Sequence, residues 1–441
     1  MDKLVRYIFL SSSPSVAAAA LSVRSSPASS SAAFRRHRHA YSVDSARSTE
    51  ADFYATGSNA LFAYALDSST GHAWTTQKWS VPDGDLTWAI NFQQNDGRRL
   101  LGVTSESQSK LLFFDPAKVG DDAVVARVDL EQGGLSTPVG ATFANGSIYT
   151  AMFKKSAGGL CVVDANAPGD PVKCYPYLDG HHVHNVMSFV VDGKTEIFIN
   201  DLGNIWDSIT PANGLVRFDA SSGTFDVNTI RNLPEDGYGL HCRSSAQDLT
   251  DPSKVYLLTQ EPSPKPSRLV VLEQDTDALT YAVVRTIELP GRGSAYSDGG
   301  ADVISMGRGQ VLVTDRFGVS GTSGADGKMY FFDVSDSDAG PKQTWSLGDY
   351  PRHTGLVGAG TVASASKNEN AVTYFPGLLW KNGEGYSLSA NAGSIKSETV
   401  EGPQAVSFIL AASQSATELT EEGPEAVSFV ALRDDSTCQS S

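Results

Sequence analysis

The chain has 441 residues, of which 34 are basic and 50 acidic, giving a formal charge of −16; 40% of residues are hydrophobic and 19% charged. That length exceeds what one small core needs, and the hydrophobic content excludes a wholly disordered chain. The acidic balance argues against nucleic acid as a partner, whereas a small anion in a locally basic pocket is compatible with it.

Residues 1–50 do not read as part of a fold. Residues 10–33 are mostly Ser and Ala with Pro14 and Pro27, and Arg35, Arg36, His37, Arg38 and His39 follow. A Ser-rich, Arg-rich, acid-poor segment has the composition of an organelle transit peptide, and mitochondrial import is the expectation. The alternatives are a secretory leader, with Lys3 and Arg6 ahead of a weak apolar stretch, or a cytoplasmic protein with an unaddressed tail. Asn145-Gly146-Ser147, a lone acceptor sequence for N-glycosylation, leans towards secretion. No apolar run of about 18 residues occurs, so no membrane association is expected.

From residue 52 onward, short runs of β-branched and aromatic residues alternate with Gly, Asp, Asn, Ser and Pro, which is the pattern of many short strands. An apolar run ending in aspartate recurs as Tyr64–Asp67, Leu112–Asp115, Cys161–Asp164, Val216–Asp219, Leu272–Asp275 and Tyr330–Asp333. The aspartates fall 48 to 58 residues apart, and a seventh copy, Val372–Phe375, lacks the aspartate. Each phrase reads as a third strand, with Asp capping the backbone of the turn to a fourth. About fifty residues with four strands is one propeller blade. Seven copies predict an all-β chain folded as a seven-bladed β-propeller over 51–412, followed by a polar tail, 413–441.

The sequence carries two further features. Glu401–Phe408 returns almost unchanged as Glu422–Phe429, and either copy suits the strand that closes the ring onto residues 52–67. Cys161 and Cys174 flank what reads as a hairpin loop, where they either face each other or stand as two reduced, half-buried thiols; the second is the expectation.

In a propeller the innermost strands converge on a central channel, so residues opening each blade share one mouth. His181, His182 and His184 open the fourth unit, and His241 and Arg243 the fifth, whose second strand ends at Glu261. Asp302 opens the sixth unit, with Asp315 and Arg316 ending its second strand, and Arg352 and His353 open the seventh. Asp201 and Asp302 also suit turn or blade-packing roles. His181-His182-Val183-His184 has the spacing of a strand-borne metal site, yet no carboxylate accompanies it, and neither metal nor cofactor is expected.

At these residues the sequence resembles the lactonase-type propellers, a family that includes bacterial 6-phosphogluconolactonases and fungal 3-carboxy-cis,cis-muconate lactonizing enzymes. The resemblance runs through His184–Phe189 with Asn200–Gly203, Gly239–Arg243 with Thr259–Glu261, Ala301-Asp302 with Thr314–Arg316, and Tyr350–His353. It is thin in the first three units. Leu86–Ala89 and the insertion Phe317–Lys328 are similar to the fungal branch. The resemblance implies a catalytic set of His184, Glu261, Arg243 and Arg316, with His182, His241, Arg352 and Asp302 in substrate binding. The spacing from His184 to Phe189 is one residue longer than the family's, which makes His182 the alternative histidine. His241 and Cys242 stand where the family often has proline.

Chemistry agrees. Lactone formation or opening needs a proton moved beside an ester, which His or a partly desolvated Glu performs, and guanidinium forks hold carboxylate or phosphate. No Gly-x-Ser-x-Gly elbow is present, which disfavours a covalent acyl-enzyme. The expectation is therefore a cofactor-independent lactonase or lactonizing cycloisomerase of a small carboxylated acid. A non-catalytic scaffold and a metal-dependent propeller enzyme are the alternatives.

Overall fold

The computed structural model describes residues 53–408 apart from several short internal segments. The described elements are strands, with one short helical turn at Gly120–Ala123. Seven antiparallel meanders account for nearly all of them. Blade 2, for example, runs outward through Leu86–Gln93, Arg99–Ser105, Lys110–Phe114 and Val124–Asp129. The innermost strands of blades 2 to 7 are Leu86–Gln93, Leu135–Ala144, His182–Val191, Cys242–Gln247, Gly300–Gly307 and Pro351–Val357. Each lies against the innermost strands of the blades before and after it, and the series closes through Ala405–Phe408. The protein is a closed seven-bladed β-propeller.

Closure uses the first of the two tail copies. Ala405–Phe408 pairs antiparallel with Phe53–Thr56, Phe408 opposite Phe53, and becomes the innermost strand of blade 1. A closed ring exposes no long sheet edge at this join. The second copy, Glu422–Phe429, lies outside the described residues, as do residues 1–50 and 413–441.

The aspartate phrases all lie on or at the end of the third strand of their blade, counted outward. Four aspartates show the local reason. Asp115, Asp164, Asp219 and Asp333 each accept a hydrogen bond on Oδ1 from the amide two residues on, at 2.8–3.1 Å. The carboxylate thus replaces the ladder partner that the chain loses on leaving the strand.

Packing explains the period. Seven apolar clusters are buried, one at each boundary between neighbouring blades. The cluster between blades 7 and 1 holds Phe53 and Tyr64, stacked at 4.8 Å, against Val372 and Tyr374. The Tyr374 hydroxyl accepts a hydrogen bond from the Ala73 amide at 3.2 Å, tying the two blades across the join. Each buried aromatic contributes about 1.5–3 kcal/mol, and no blade can bury its faces without both neighbours.

Three features differ from the sequence reading. Cys161 and Cys174 are disulfide-bonded rather than reduced. They stand directly opposite each other on the third strand of blade 3, Ala157–Asp164, and its outermost strand, Lys173–Asp179. That register brings the two thiols together. In blade 7 a small hairpin, Leu379–Asn382 with Gly385–Leu388, intervenes before the fourth strand, Lys396–Thr399. Blade 5 gains an outer strand, Ile230–Arg231, parallel to Tyr281–Ala282, which covers an edge otherwise open. Of the insertion Phe317–Lys328, residues 317–325 lie outside the described residues, and Asp326 to Lys328 begin the third strand of blade 6.

Candidate functional site

Innermost strands begin, and second strands end, on one face of the ring. The sequence-predicted residues therefore share a mouth, but they divide into those that face one another and those that hold the ring.

His184 is at the centre of the first group. His182 and His184 lie two residues apart on the opening of blade 4, with Val183 between them buried. Nδ1–H of His182 donates to the Phe153 carbonyl at 2.7 Å. The Phe153 ring stands edge-on to His184 at 5.7 Å. The His184 Nδ1 is buried with no hydrogen-bond partner among the described residues. Burial first, and then the charges of Arg243, Arg316 and Arg352, hold the His184 pKa well below the usual imidazole value. His184 is thus neutral at pH 7, with a lone pair on one of its two ring nitrogens.

The three guanidinium groups come from three consecutive blades. Arg243, on the innermost strand of blade 5, donates from Nε to the Ala301 carbonyl at 3.1 Å and from Nη1 to Gln260 Oε1 at 2.9 Å. Arg316, at the end of the second strand of blade 6, lies over the Tyr350 ring at 4.8 Å and donates from Nη1 to its hydroxyl at 3.1 Å. Arg352 opens blade 7, two residues beyond Tyr350. Its nearest carboxylate is Glu106 of blade 2, at 3.9 Å. Burial, and next the charge of Arg316, push the Arg352 pKa down from its ordinary value.

Tyr350 was not singled out from the sequence, although it precedes Pro351-Arg352-His353 directly. Its φ of 58° is left-handed, a conformation that a bulky residue adopts at a cost of about 1 kcal/mol or more. The bend puts one phenol beneath Arg316 and beside Arg352. Gln260 was likewise passed over. It is completely buried, and its Oε1 fixes the direction of Arg243.

Three residues expected at the mouth have other roles. Glu261 is fully buried, and Oε1 accepts from Arg268 Nε at 3.0 Å and Nη2 at 2.6 Å. Arg268 Nη2 also donates to the Gly239 carbonyl at 3.1 Å. Glu261 Oε1 therefore joins the second and third strands of blade 5, while Oε2 is buried with no hydrogen-bond partner among the described residues. Asp302 joins blades. Oδ1 accepts from the Ser244 hydroxyl of blade 5 and the Val303 amide at 3.1 Å, and Oδ2 from the Thr354 amide at 3.1 Å and His353 Nε2 at 3.2 Å, both of blade 7. With four donors on two oxygens it has little left for a substrate. His241 is wholly buried, with Nδ1–H donating to the Leu202 carbonyl at 2.7 Å and Nε2 without a hydrogen-bond partner among the described residues.

Two other candidates are structural as well. Asp201 accepts from His181 Nδ1 at 2.9 Å, the Gly203 amide at 2.9 Å and the Asn213 amide at 2.8 Å. His353 stands edge-on to Trp88 at 4.2 Å, which links blade 7 to the opening of blade 2. Among the described residues no group of three or more His, Cys, Asp or Glu side chains is arranged to hold a metal ion.

No protein-family model and no curated protein matches this chain. Solved structures do resemble it. The periplasmic gluconolactonase PpgL of Pseudomonas aeruginosa superposes with a TM-score of 0.56 at 17% identity, covering 81% of this chain and 98% of that one. A candidate 6-phosphogluconolactonase of Bacteroides uniformis gives 0.54 at 14% identity, over 81% and 100%. A Lactobacillus plantarum protein gives 0.53 at 14% identity, over 81% and 98%. At these identities the likeness shows the fold, and the chemistry rests on the residues above.

Proposed function

We propose that the protein is a hydrolase that opens the lactone of a small anionic acid, of sugar or similar polyhydroxy type, at the mouth of its channel. The observation that carries this reading is the placement of His184, Arg243 and Arg352 where blades 4, 5 and 7 open, with Arg316 ending a second strand on the same face, so that three guanidinium charges act on one imidazole. Two buried guanidinium groups and one half-buried, grouped beside a neutral imidazole, suit an anionic substrate that needs a proton moved. The gluconolactonase and candidate 6-phosphogluconolactonase among the similar structures favour hydrolysis over lactone formation.

In the proposed step, the lone-pair nitrogen of the neutral His184 ring takes a proton from water as the water oxygen attacks the lactone carbonyl carbon. The arginines stabilise the oxyanion that develops and hold the substrate's carboxylate or phosphate. The tetrahedral intermediate then collapses, the ring C–O bond breaks, and the imidazolium returns its proton to the departing alkoxide. The product is the open hydroxy acid. Fixed donors cost no reorganisation during the reaction, which is why Gln260, Ala301 and Tyr350, by orienting two of the arginines, contribute to the chemistry without touching it.

The test is a panel of aldonolactones, phosphorylated and not, followed by proton release in weak buffer. Turnover above the spontaneous rate that disappears in Arg243→Ala supports the proposal. Equal rates with and without protein across the panel would replace it with the non-catalytic scaffold.

A further inference from the structure

Blade 3 carries two features that the mouth does not use. The first is the Cys161–Cys174 disulfide. Disulfides persist in oxidising compartments and are rare where glutathione keeps thiols reduced. Forming this one removes two electrons and two protons from the thiols, which a protein-disulfide oxidant of such a compartment accepts.

The second feature is the Asn145-Gly146-Ser147 tripeptide. Ala144 and Ser147 are paired directly, so Asn145 and Gly146 form a two-residue hairpin turn between the innermost and second strands. Their φ values of 50° and 76° are both left-handed, as the favoured hairpin turn requires, and Asn and Gly are the residues that tolerate it. The Asn145 side chain is exposed at the tip. The surface beside it is polar: the Gly146 carbonyl accepts from the Ala165 amide at 3.0 Å, and Asn166 Oδ1 accepts from the Asn95 amide at 2.7 Å. The turn also lies on the face opposite the mouth. The ten-residue strand Leu135–Ala144 starts at the mouth and ends at the turn, a span of roughly 30 Å. Carbohydrate there leaves the channel open.

We propose that Asn145 bears an N-linked oligosaccharide, added in the secretory compartment where Cys161 and Cys174 are joined. In that reaction Asn145 Nδ2 displaces a lipid diphosphate from the anomeric carbon of an activated oligosaccharide. One C–N bond forms, one C–O bond breaks, and the amide gives up one proton. The inference is independent of the lactonase reading. It favours the secretory leader over the mitochondrial one for residues 1–50.

The full chain is isolated from the cells that make it, digested without reduction, and treated with the amidase that releases N-glycans, in heavy-oxygen water. The expected result is Asn145 recovered as heavy-labelled aspartate, and the Cys161 and Cys174 peptides recovered linked. Recovery of the Asn145 peptide only in its unmodified form overturns the proposal. Ser147→Ala and Asn145→Gln, made in the same cells, are both expected to lose the glycan mass. Ser147→Ala keeps the turn residue itself, so glycan mass persisting in that variant would also overturn it.

Discussion

Blades 1 to 3 and blades 4 to 7 are built on one plan but treat charge differently. Among the described residues, the buried polar side chains of blades 1 to 3 are hydroxyls such as Thr56, Thr87, Thr104 and Thr150, with the amide of Gln94. Blades 4 to 7 bury His181, Asp201, His241, Arg243, Asp248, Glu261, Asp302, Asp315 and Arg316. An uncharged hydroxyl costs little to bury once it is hydrogen-bonded, whereas a buried ion must be paired or held by several dipoles. Half the ring is thus optimised for packing, and the other half tolerates expensive desolvation, most of it beside the mouth and, at Asp248, at the far end of an innermost strand. That asymmetry is the strongest physical sign of where function sits, and each substitution below tests one side of it.

The largest effect is expected at His184. Replacing it with Asn removes the proton acceptor while keeping a polar group of similar reach, and turnover should fall about 100- to 10,000-fold, with much less change in KM. The pH profile follows from the same residue. Burial and three guanidinium charges depress its pKa below the usual imidazole value, so the neutral, active form dominates at neutral pH. Activity should decline only on acidification through that depressed pKa. A profile falling between pH 7 and 6, in kcat and in kcat/KM alike, would show that another group carries the proton.

Glu261→Gln is expected to act on stability. It leaves Arg268 buried without its carboxylate, a loss of about 3–5 kcal/mol in comparable buried pairs. Denaturant unfolding should show the loss, while the soluble fraction keeps a kcat within a few-fold of normal. A normal unfolding midpoint with collapsed turnover would instead return Glu261 to the catalytic set.

Arg316→Lys keeps the charge but loses the plane that lies over Tyr350. Substrate affinity should fall about 10- to 100-fold, as when one or two charge-assisted hydrogen bonds are lost. An unchanged KM would mean that the fork does not touch the anion.

The architecture was legible because its cause is local. Four of the six phrase aspartates cap their own turns, and each apolar run is needed twice, once for either neighbouring blade, so the period survives in the sequence. That the residues opening the blades share one face was legible for the same reason, since they open strands whose order the period had already established. Partners were not legible. Glu261 takes Arg268, seven residues on across one turn, instead of an arginine from another blade, and that depends on which way a side chain leaves its strand. Cys161 and Cys174 needed the register of two strands known to the residue. Tyr350 needed a backbone angle that composition does not reveal. Strand order follows from patterns repeated seven times, whereas side-chain pairing is decided once, in three dimensions.

The smallest effect is expected at Thr104, and it tests the quiet half of the ring. The Thr104 and Thr87 hydroxyls are 2.9 Å apart, and Thr87 Oγ1 is also 3.1 Å from the Pro138 carbonyl, which can accept its proton. Thr104→Val swaps a buried hydroxyl for a methyl group of similar volume. Thr87 keeps an acceptor, so no buried donor is left unpaired, and the cost should be about 0.5–1.5 kcal/mol of stability. Blade 2 does contribute Trp88 and Glu106 near the mouth, through His353 and Arg352. Turnover in Thr104→Val therefore also measures whether packing inside that blade is felt at the site. Unchanged kcat and KM would fit a ring in which blades 1 to 3 supply closure and blades 4 to 7 supply chemistry. A tenfold fall in kcat, with stability nearly intact, would dissolve the division and make the site a property of the whole ring.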